Sequence, residues 1–372
     1  MNGMKQNWEY KKLGEVGSVI GGSTPRTNVA EFWNGDNYWV TPAELKGDKF
    51  INSTERKISN KAVQSTNLTL LPAGTVLLSS RAPIGKVCIT NVPMYCNQGF
   101  KNIICGPDLY NEYLYWWLKS KTEYLNSLGV GATFKEISKR VVEKIKIPVP
   151  PLSEQQRIVA ELDLLTGIID KQNAQLKELD TLAQSIFYDM FGDPIQNEKG
   201  WNVKKISDVS QDVFAGGDKP EDFKDAPTDE YCYPIIANGI GDRGVLGYSR
   251  KYRVGSDAVT IGARGASIGN CRICKAFFTP VVRLITIIPS AAVDITFLYF
   301  VVQLLNFNIN GAGQAQLTVP NVKSQVIPVP PLALQQEFAD KIQSIEKQKA
   351  AVNQSIAETQ TLLDYTMDKY FG

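Results

Sequence analysis

The ten residues Ile147–Gln156 read IPVPPLSEQQ, and Ile327–Gln336 read IPVPPLALQQ. Eight of the ten positions are identical at an offset of 180. From Ile147 to Gly192 the match to Ile327–Gly372 continues without a gap, and each copy ends in Phe-Gly, at Phe191-Gly192 and Phe371-Gly372. Self-similarity at a fixed offset marks a molecule built twice from one plan. Pro148, Pro150 and Pro151 impose an extended entry, and Ser153 is the predicted N-cap of the helix that follows.

Ile158, Leu162, Leu165, Ile169, Gln172, Leu176, Leu179, Ala183, Ile186 and Met190 recur at alternating steps of four and three. That is a heptad seam with one polar position, Gln172. The second copy continues it with Phe338, Ile342, Ile345, Lys349, Val352, Ile356, Thr359, Leu363, Thr366 and Tyr370, with Lys349 read opposite Gln172. A lone helix with such a stripe needs a partner, and the other copy is the simplest one, packed antiparallel. Ser153 to Met190 predicts a helix of about 57 Å at 1.5 Å per residue.

Outside the helices the repeat is fainter. Trp8-Glu-Tyr-Lys11-Lys12-Leu13 parallels Trp201-Asn-Val-Lys204-Lys205-Ile206, and both segments then reach a double glycine, Gly21-Gly22 and Gly216-Gly217. Arg81-Ala-Pro-Ile84-Gly85-Lys86 parallels Arg264-Gly-Ala-Ser-Ile268-Gly269-Asn270. Aromatic, helix-like stretches follow at Tyr113–Leu118 and Phe297–Val302, then glycine loops at Gly129–Lys135 and Gly311–Leu317. The expected fold is α+β: two similar globular α/β bodies in inverted pseudo-repeat, joined by two long helices in an antiparallel coiled coil. The expected boundaries are 1–146 and 193–326 for the bodies, 147–192 and 327–372 for the helices.

Composition narrows the chemistry. The chain of 372 residues has no histidine, which excludes Ser-His-Asp and Cys-His catalysis and His-ligated metals. Cys271-Arg-Ile-Cys274 has half-zinc-site spacing without a second pair, in a predicted strand where residues three apart face opposite ways; these read as unpaired structural thiols. No phosphate loop of the G-x-x-x-x-G-K-[ST] type is present. No apolar run approaches the roughly 18 residues that span a bilayer, and the N-terminus MNGMKQNWEY has no apolar signal core, so a cytoplasmic protein is expected. Basic residues exceed acidic ones by seven in residues 1–146 and by one in 193–326, while acidic residues are in excess by four in 147–192 and by two in 327–372. Bodies facing a polyanion and helices facing protein fit that distribution.

Gly-rich turns carrying Arg, Lys, Asn and Gln suit phosphates and base edges. The candidate DNA contacts are Arg26, Arg81, Lys86 and Lys135 in the first body, and Arg243, Arg264, Asn270, Gln314 and Gln316 in the second.

With its two IPVPPL-x-x-QQ entries, helices ending in Phe-Gly, W-x-x-K-K-[LI] starts and RAPIGK and GATFKEI loops, the whole chain resembles the specificity subunit of type I restriction–modification systems. The second copy departs at Ala333-Leu334 and in its GQAQL loop. The resemblance implies a subunit with no catalytic activity. Each body would read one half of a bipartite double-stranded DNA target. The helices would set the spacing and dock two methyltransferase subunits, and motor–nuclease subunits would join. S-adenosylmethionine, ATP and Mg would belong to those partners, and the chain would hold no cofactor or metal. Two other readings stay open on the residues alone. One is a scaffold with two ligand- or protein-binding domains on a coiled coil. The other is a nuclease or methyltransferase acting alone.

Overall fold

The computed structural model of the protein describes residues 8–66, 68–131, 135–239, 244–305, 307 and 316–372. Its compact units are Met1–Lys171 with Ile356–Gly372, and Gln172–Ser355. The first unit runs β1 (Tyr10–Lys12), α1 (Leu13–Val16), β2 (Gly17–Gly21), β3 (Trp33–Val40), β4 (Phe50–Ile51), β5 (Lys57–Ile58), α2 (Asn60–Thr66), β6 (Val76–Leu78), β7 (Val87–Thr90), β8 (Tyr95–Cys96), β9 (Lys101–Cys105), α3 (Asn111–Ser120), α4 (Thr122–Ser127), α5 (Lys139–Lys144) and β10 (Lys146–Pro148), then enters the long helix α6 (Leu152–Phe191). The second unit follows with β11 (Val203–Lys205), β12 (Ser210–Ala215), β13 (Tyr233–Ile236), β14 (Val245–Ser249), β15 (Ala258–Ile261), β16 (Cys271–Cys274), β17 (Thr279–Pro280), β18 (Ile285–Pro289), α7 (Ile295–Leu304), α8 (Val319–Lys323), β19 (Val326–Pro328) and the long helix α9 (Leu332–Phe371).

Topology makes the duplication explicit. The main sheet has the order β2-β9-β6-β7-β4 in the first unit and β12-β18-β15-β16 in the second. Each unit also pairs its first strand with its last, β1 antiparallel to β10 and β11 antiparallel to β19. A parallel pair joins β3 to β8 and β13 to β17. One glycine of each doublet permits that arrangement: a Cβ on Gly22 would collide with the Asn97 carbonyl, and one on Gly216 with the Pro280 carbonyl.

The motif that opened the sequence reading has a physical role for its first glutamine. Gln155 and Gln335 are both fully buried. Gln155 accepts from the Tyr110 N–H at 2.8 Å and donates to the carbonyls of Asp108 and Pro150, both at 2.8 Å. Gln335 accepts from the Asp294 N–H at 2.8 Å and donates to the Pro330 carbonyl at 2.7 Å. Each amide thus ties the start of a long helix to the start of the aromatic helix, α3 or α7, and satisfies a buried proline carbonyl, Pro150 or Pro330.

The expected N-cap at Ser153 is corrected. The helix already includes Leu152, and the Pro151 carbonyl accepts from the N–H groups of Glu154 (2.9 Å) and Gln155 (3.1 Å), so Ser153 lies in the first turn. At the other end Gly192 takes φ +76°, the left-handed conformation that stops a helix.

Within each unit α6 and α9 pack antiparallel. In the first, Tyr370 Oη donates to Glu161 at 2.7 Å and accepts from Arg157 at 3.1 Å. In the second, Gln172 donates to Ser355 at 2.7 Å and Asp180 pairs with Lys349 at 2.8 Å. Low numbers on one helix meet high numbers on the other throughout. Lys349 therefore does not stand opposite Gln172; at the 180-residue offset it takes the place of Ile169. Ile158, Leu162, Leu165, Leu179, Ile342, Ile345 and Leu363 are buried along the seam. Ile169, Leu176, Val352 and Ile356, midway along the helices, are half-buried.

The cores differ in character. The second unit packs Phe187, Phe191, Phe297, Phe300 and Phe338 ring to ring, with Phe187 and Phe300 stacked at 5.8 Å and Phe191 edge-on to Phe297 at 4.8 Å. The corresponding places in the first unit hold Met367, Phe371, Tyr113, Trp116 and Ile158, with Tyr113 edge-on to Phe371 at 5.5 Å.

Candidate nucleic-acid interface

The two arginine-bearing turns share one backbone design. In the first unit the Ser79 N–H donates to the Lys86 carbonyl (2.9 Å) and the Gly85 N–H to the Ser79 carbonyl (3.1 Å). In the second, Gly262 donates to Asn270 (2.9 Å) and Gly269 to Gly262 (3.0 Å). Gly85 at φ +92° and Gly269 at φ +80° adopt a conformation that side chains resist, which explains glycine at both. A strand-like segment then closes each turn. The Ile137 N–H donates to the Ser80 carbonyl (2.9 Å), and the Leu317 N–H to the Ala263 carbonyl (3.0 Å).

These closures bring candidate residues together. Arg81 bridges to Glu136, its Nε 2.9 Å from the carboxylate. Arg264 bridges to Gln316 in the equivalent way, its guanidinium 3.1 Å from the amide oxygen. Lys135, exposed, directly precedes Glu136. Lys86 leaves the same turn and donates to the Pro42 carbonyl at 3.2 Å. Asn270 is exposed at the matching place in the second unit. Arg26 is exposed on a different connection, where its carbonyl accepts from the Trp33 indole at 3.3 Å. Arg243 and Gln314 lie outside the described residues.

Electrostatics separate the two turns. Burial raises the Glu136 carboxyl, but hydrogen bonds from Lys101 (3.1 Å) and Arg81 outweigh it and hold the group below the usual carboxylate range. Gln316 does the same tying job in the second unit without charge. The first turn is thus a fixed cluster of two cations on one anion, and the second a single cation on an amide.

Some participants carried little sequence signal. Lys101, only 12% exposed, reaches both Glu136 and Ser80 and sits in a strand far from the turn in sequence. Arg56 sits over Trp33, its guanidinium carbon 4.0 Å from the ring centre, with the Trp39 ring at 5.1 Å. Asn238 accepts from the Ala263 N–H (3.1 Å) and donates to the Val282 carbonyl (2.8 Å), anchoring the second turn from behind. The two tryptophans beside a basic segment were the available hint of stacking; the other contacts depend on strand pairing.

Cys271 and Cys274 lie in β16, and burial pushes the Cys271 thiol up to about 12. Among the described residues no group of three or more Cys, Asp or Glu is placed to hold a metal ion. No helix among them is long and apolar enough to cross a membrane.

A family model described as "Type I restriction modification DNA specificity domain" matches residues 5–180 and again 198–360. Over 378 residues the chain is 30% identical to the type I restriction enzyme MjaIX specificity subunit of Methanocaldococcus jannaschii, a match spanning 91% of this chain and 87% of that one. A 162-residue stretch is 35% identical to the EcoR124I/EcoR124II specificity subunit of Escherichia coli, covering 42% of this chain and 40% of the relative. Among solved structures, the type I restriction–modification S subunit from M. genitalium superposes with a TM-score of 0.62 at 14% identity, covering 100% of this chain and 98% of that one. A chain of the structure described as "Structural basis underlying complex assembly and conformational transition of the type I R-M system" gives 0.63 at 19% identity, covering 98% of each. At such identities the structural likeness speaks for the fold.

Proposed function

The chain belongs to the type I restriction–modification DNA specificity family, and we propose that its two bodies, residues 1–146 and 193–326, each read one half of a bipartite double-stranded DNA target. The observation that carries this reading is the pair of matching turns, Arg81–Glu136 and Arg264–Gln316, built on one backbone frame with different side chains. One frame with two surfaces suits a protein that reads two different half-sites.

In this reading Arg81, Lys86, Lys135 and Arg26 meet one half-site, and Arg264, Asn270 and Gln316 the other; Arg243 and Gln314 are proposed contacts by sequence. Arginine and lysine match guanine and phosphate, while asparagine and glutamine match adenine. The helices, residues 147–192 and 327–372, set the distance between half-sites and dock two methyltransferase subunits, with motor–nuclease subunits joining the assembly. The chain itself supplies recognition and no catalysis. S-adenosylmethionine, ATP and Mg act on the partners, and the assembly works in the cytoplasm.

Methylome sequencing of a host carrying this chain with its methyltransferase partner tests the reading. A bipartite adenine-methylated motif that depends on this chain is expected. Arg81→Ala should relax or weaken one half only and Arg264→Ala the other half only, each by about 1–3 kcal/mol of discrimination where the contact is to a base. Loss of both halves in either variant, or no bipartite motif, overturns it.

A further inference from the structure

After the short parallel strand, β8 or β17, each unit turns back into its main sheet. The two turns align residue for residue at an offset of 184, Asn97-Gln98-Gly99 in the first unit against Val281-Val282-Arg283 in the second. The second turn is tight, with the Leu284 N–H donating to the Val281 carbonyl at 3.1 Å. Its two central residues are both left-handed, Val282 at φ +51° and Arg283 at φ +58°. That conformation suits Asn and Gly, and in a β-branched residue such as Val282 it is strained. The first unit has a glycine in its turn, yet none of Asn97, Gln98 and Gly99 is left-handed. Glycine thus stands where the backbone does not need it, and valine and arginine stand where it does.

Strain of this kind persists only where neighbours over-determine the backbone. Here the Val282 N–H donates to the Gly217 carbonyl (2.8 Å), the Arg283 N–H to the Gly216 carbonyl (3.1 Å), and the Gly216 N–H to the Leu284 carbonyl (2.8 Å). The Val282 carbonyl accepts from Asn238 Nδ2 at 2.8 Å. The same Asn238 amide accepts from the Ala263 N–H, one residue before Arg264. One side chain therefore ties the strained turn to the turn that presents Arg264. Val282, 47% exposed, and Arg283 are both accessible there. Among the described residues no hydrogen bond or ion pair holds the Arg283 guanidinium.

We propose that Val282 and Arg283 are specificity-determining contacts of the second unit, Arg283 to a guanine edge and Val282 to a thymine methyl, in the half-site that Arg264 meets. The inference rests on the DNA reading proposed above and adds two residues to it. A phosphate contact tolerates a mobile arginine, whereas a bidentate contact to one base requires a placed one. An exposed valine side chain offers no hydrogen bond but packs against a methyl group. Holding both residues in a strained backbone fits base reading. At the equivalent places the first unit sets Gln98, exposed and bonded to Thr24, and the buried Gly99, so the two turns offer different groups from one frame.

The experiment is methylome sequencing of a host carrying the full chain with its methyltransferase partner, for wild type, Arg283→Ala and Val282→Gly, with amide exchange measured on each purified chain. Arg283→Ala should lose about tenfold to a hundredfold of discrimination at one G·C pair of the half-site that Arg264→Ala affects, leaving the other half and the gap unchanged. Val282→Gly should relax a T·A pair of the same half about fourfold. Because glycine takes a positive φ freely, it should also slow amide exchange at Leu284. A variant that folds more tightly and reads less sharply cannot owe its loss to misfolding. An unchanged motif in either variant overturns the inference and leaves DNA reading by the two bodies standing. So does a loss of methylation spread evenly over all sites in Arg283→Ala, as a phosphate contact would give. A wild-type chain that yields no bipartite motif overturns both.

Discussion

At three equivalent places the first unit uses an ionised side chain and the second a neutral one: Glu112 against Thr296, Glu136 against Gln316, and Asp163 against Gln343. The first unit closes its sheet with its own β4 and with Lys49, held by Glu112 and Asp163. The second relies on five phenylalanines, and no strand among its described residues pairs with the outer edge of β16. One frame has therefore been stabilised in two ways, by ion clusters in one copy and by aromatic packing in the other. The frame itself is held by what both copies keep, the buried glutamine and the paired entry and exit strands.

The largest effect should come from the aromatic cluster. Phe187→Ala removes a fully buried ring and should cost the second unit about 3–5 kcal/mol, read as faster amide exchange confined to that unit. Met367→Ala, at the matching place in the first unit, is only partly buried and should cost about 1–2 kcal/mol. Equal losses would break the contrast. Next, Gln155→Ala should cost about 1–2 kcal/mol in chemical denaturation by leaving the buried Pro150 carbonyl unpaired and cutting the ties to Asp108 and Tyr110. Gln335→Ala should cost less, having two such bonds against three.

Lys49→Ala should cost the first unit about 1–2 kcal/mol, discounted because Asp163 is 38% exposed, and should leave the second unit's exchange unchanged. The smallest effect concerns pH. A carboxyl whose pKa is depressed by folding stabilises the fold above its unfolded value and loses that contribution as pH falls through its folded value. Glu136 is such a group, and so is Glu112, where burial opposes but the Lys49 and Tyr110 bonds prevail. Below the ordinary glutamate value of about 4.3, exchange at the Ile137 N–H should therefore rise while that at the Leu317 N–H, tied by a neutral glutamine, stays level.

Much of the frame was legible from residues alone. The 180-residue offset predicted the two long helices, and the heptads predicted their pairing. The W-x-x-K-K-[LI] starts marked equivalent places, which the structure builds as β1 and β11. The start of α6 moved by two residues because the Pro151 carbonyl, and not Ser153, closes the first turn. Lys349 was set against Gln172 by a slip of one seam position, since the 180-residue offset places it at Ile169; its contact with Asp180 comes from the antiparallel register, which no linear offset encodes. The turns were visible as glycine motifs. The partners that fix them were not: Lys101 reaches the first turn from β9, and Glu136 and Asn238 reach theirs from separate connections. That no described strand of the second unit pairs with the outer edge of β16 was likewise hidden, because edge pairing depends on tertiary placement and leaves no local motif.

In each unit the first and last strands lie side by side, β1 with β10 and β11 with β19. The chain therefore enters and leaves each body through one fixed doorway, and the direction of departure is set by that ladder and the glutamine behind it. Between those ends the two copies differ, with Trp116 in one and Phe300 at its place in the other, while each keeps the same ladder and glutamine before its long helix. Inheritance can then act on what is read and leave the measuring frame unaltered.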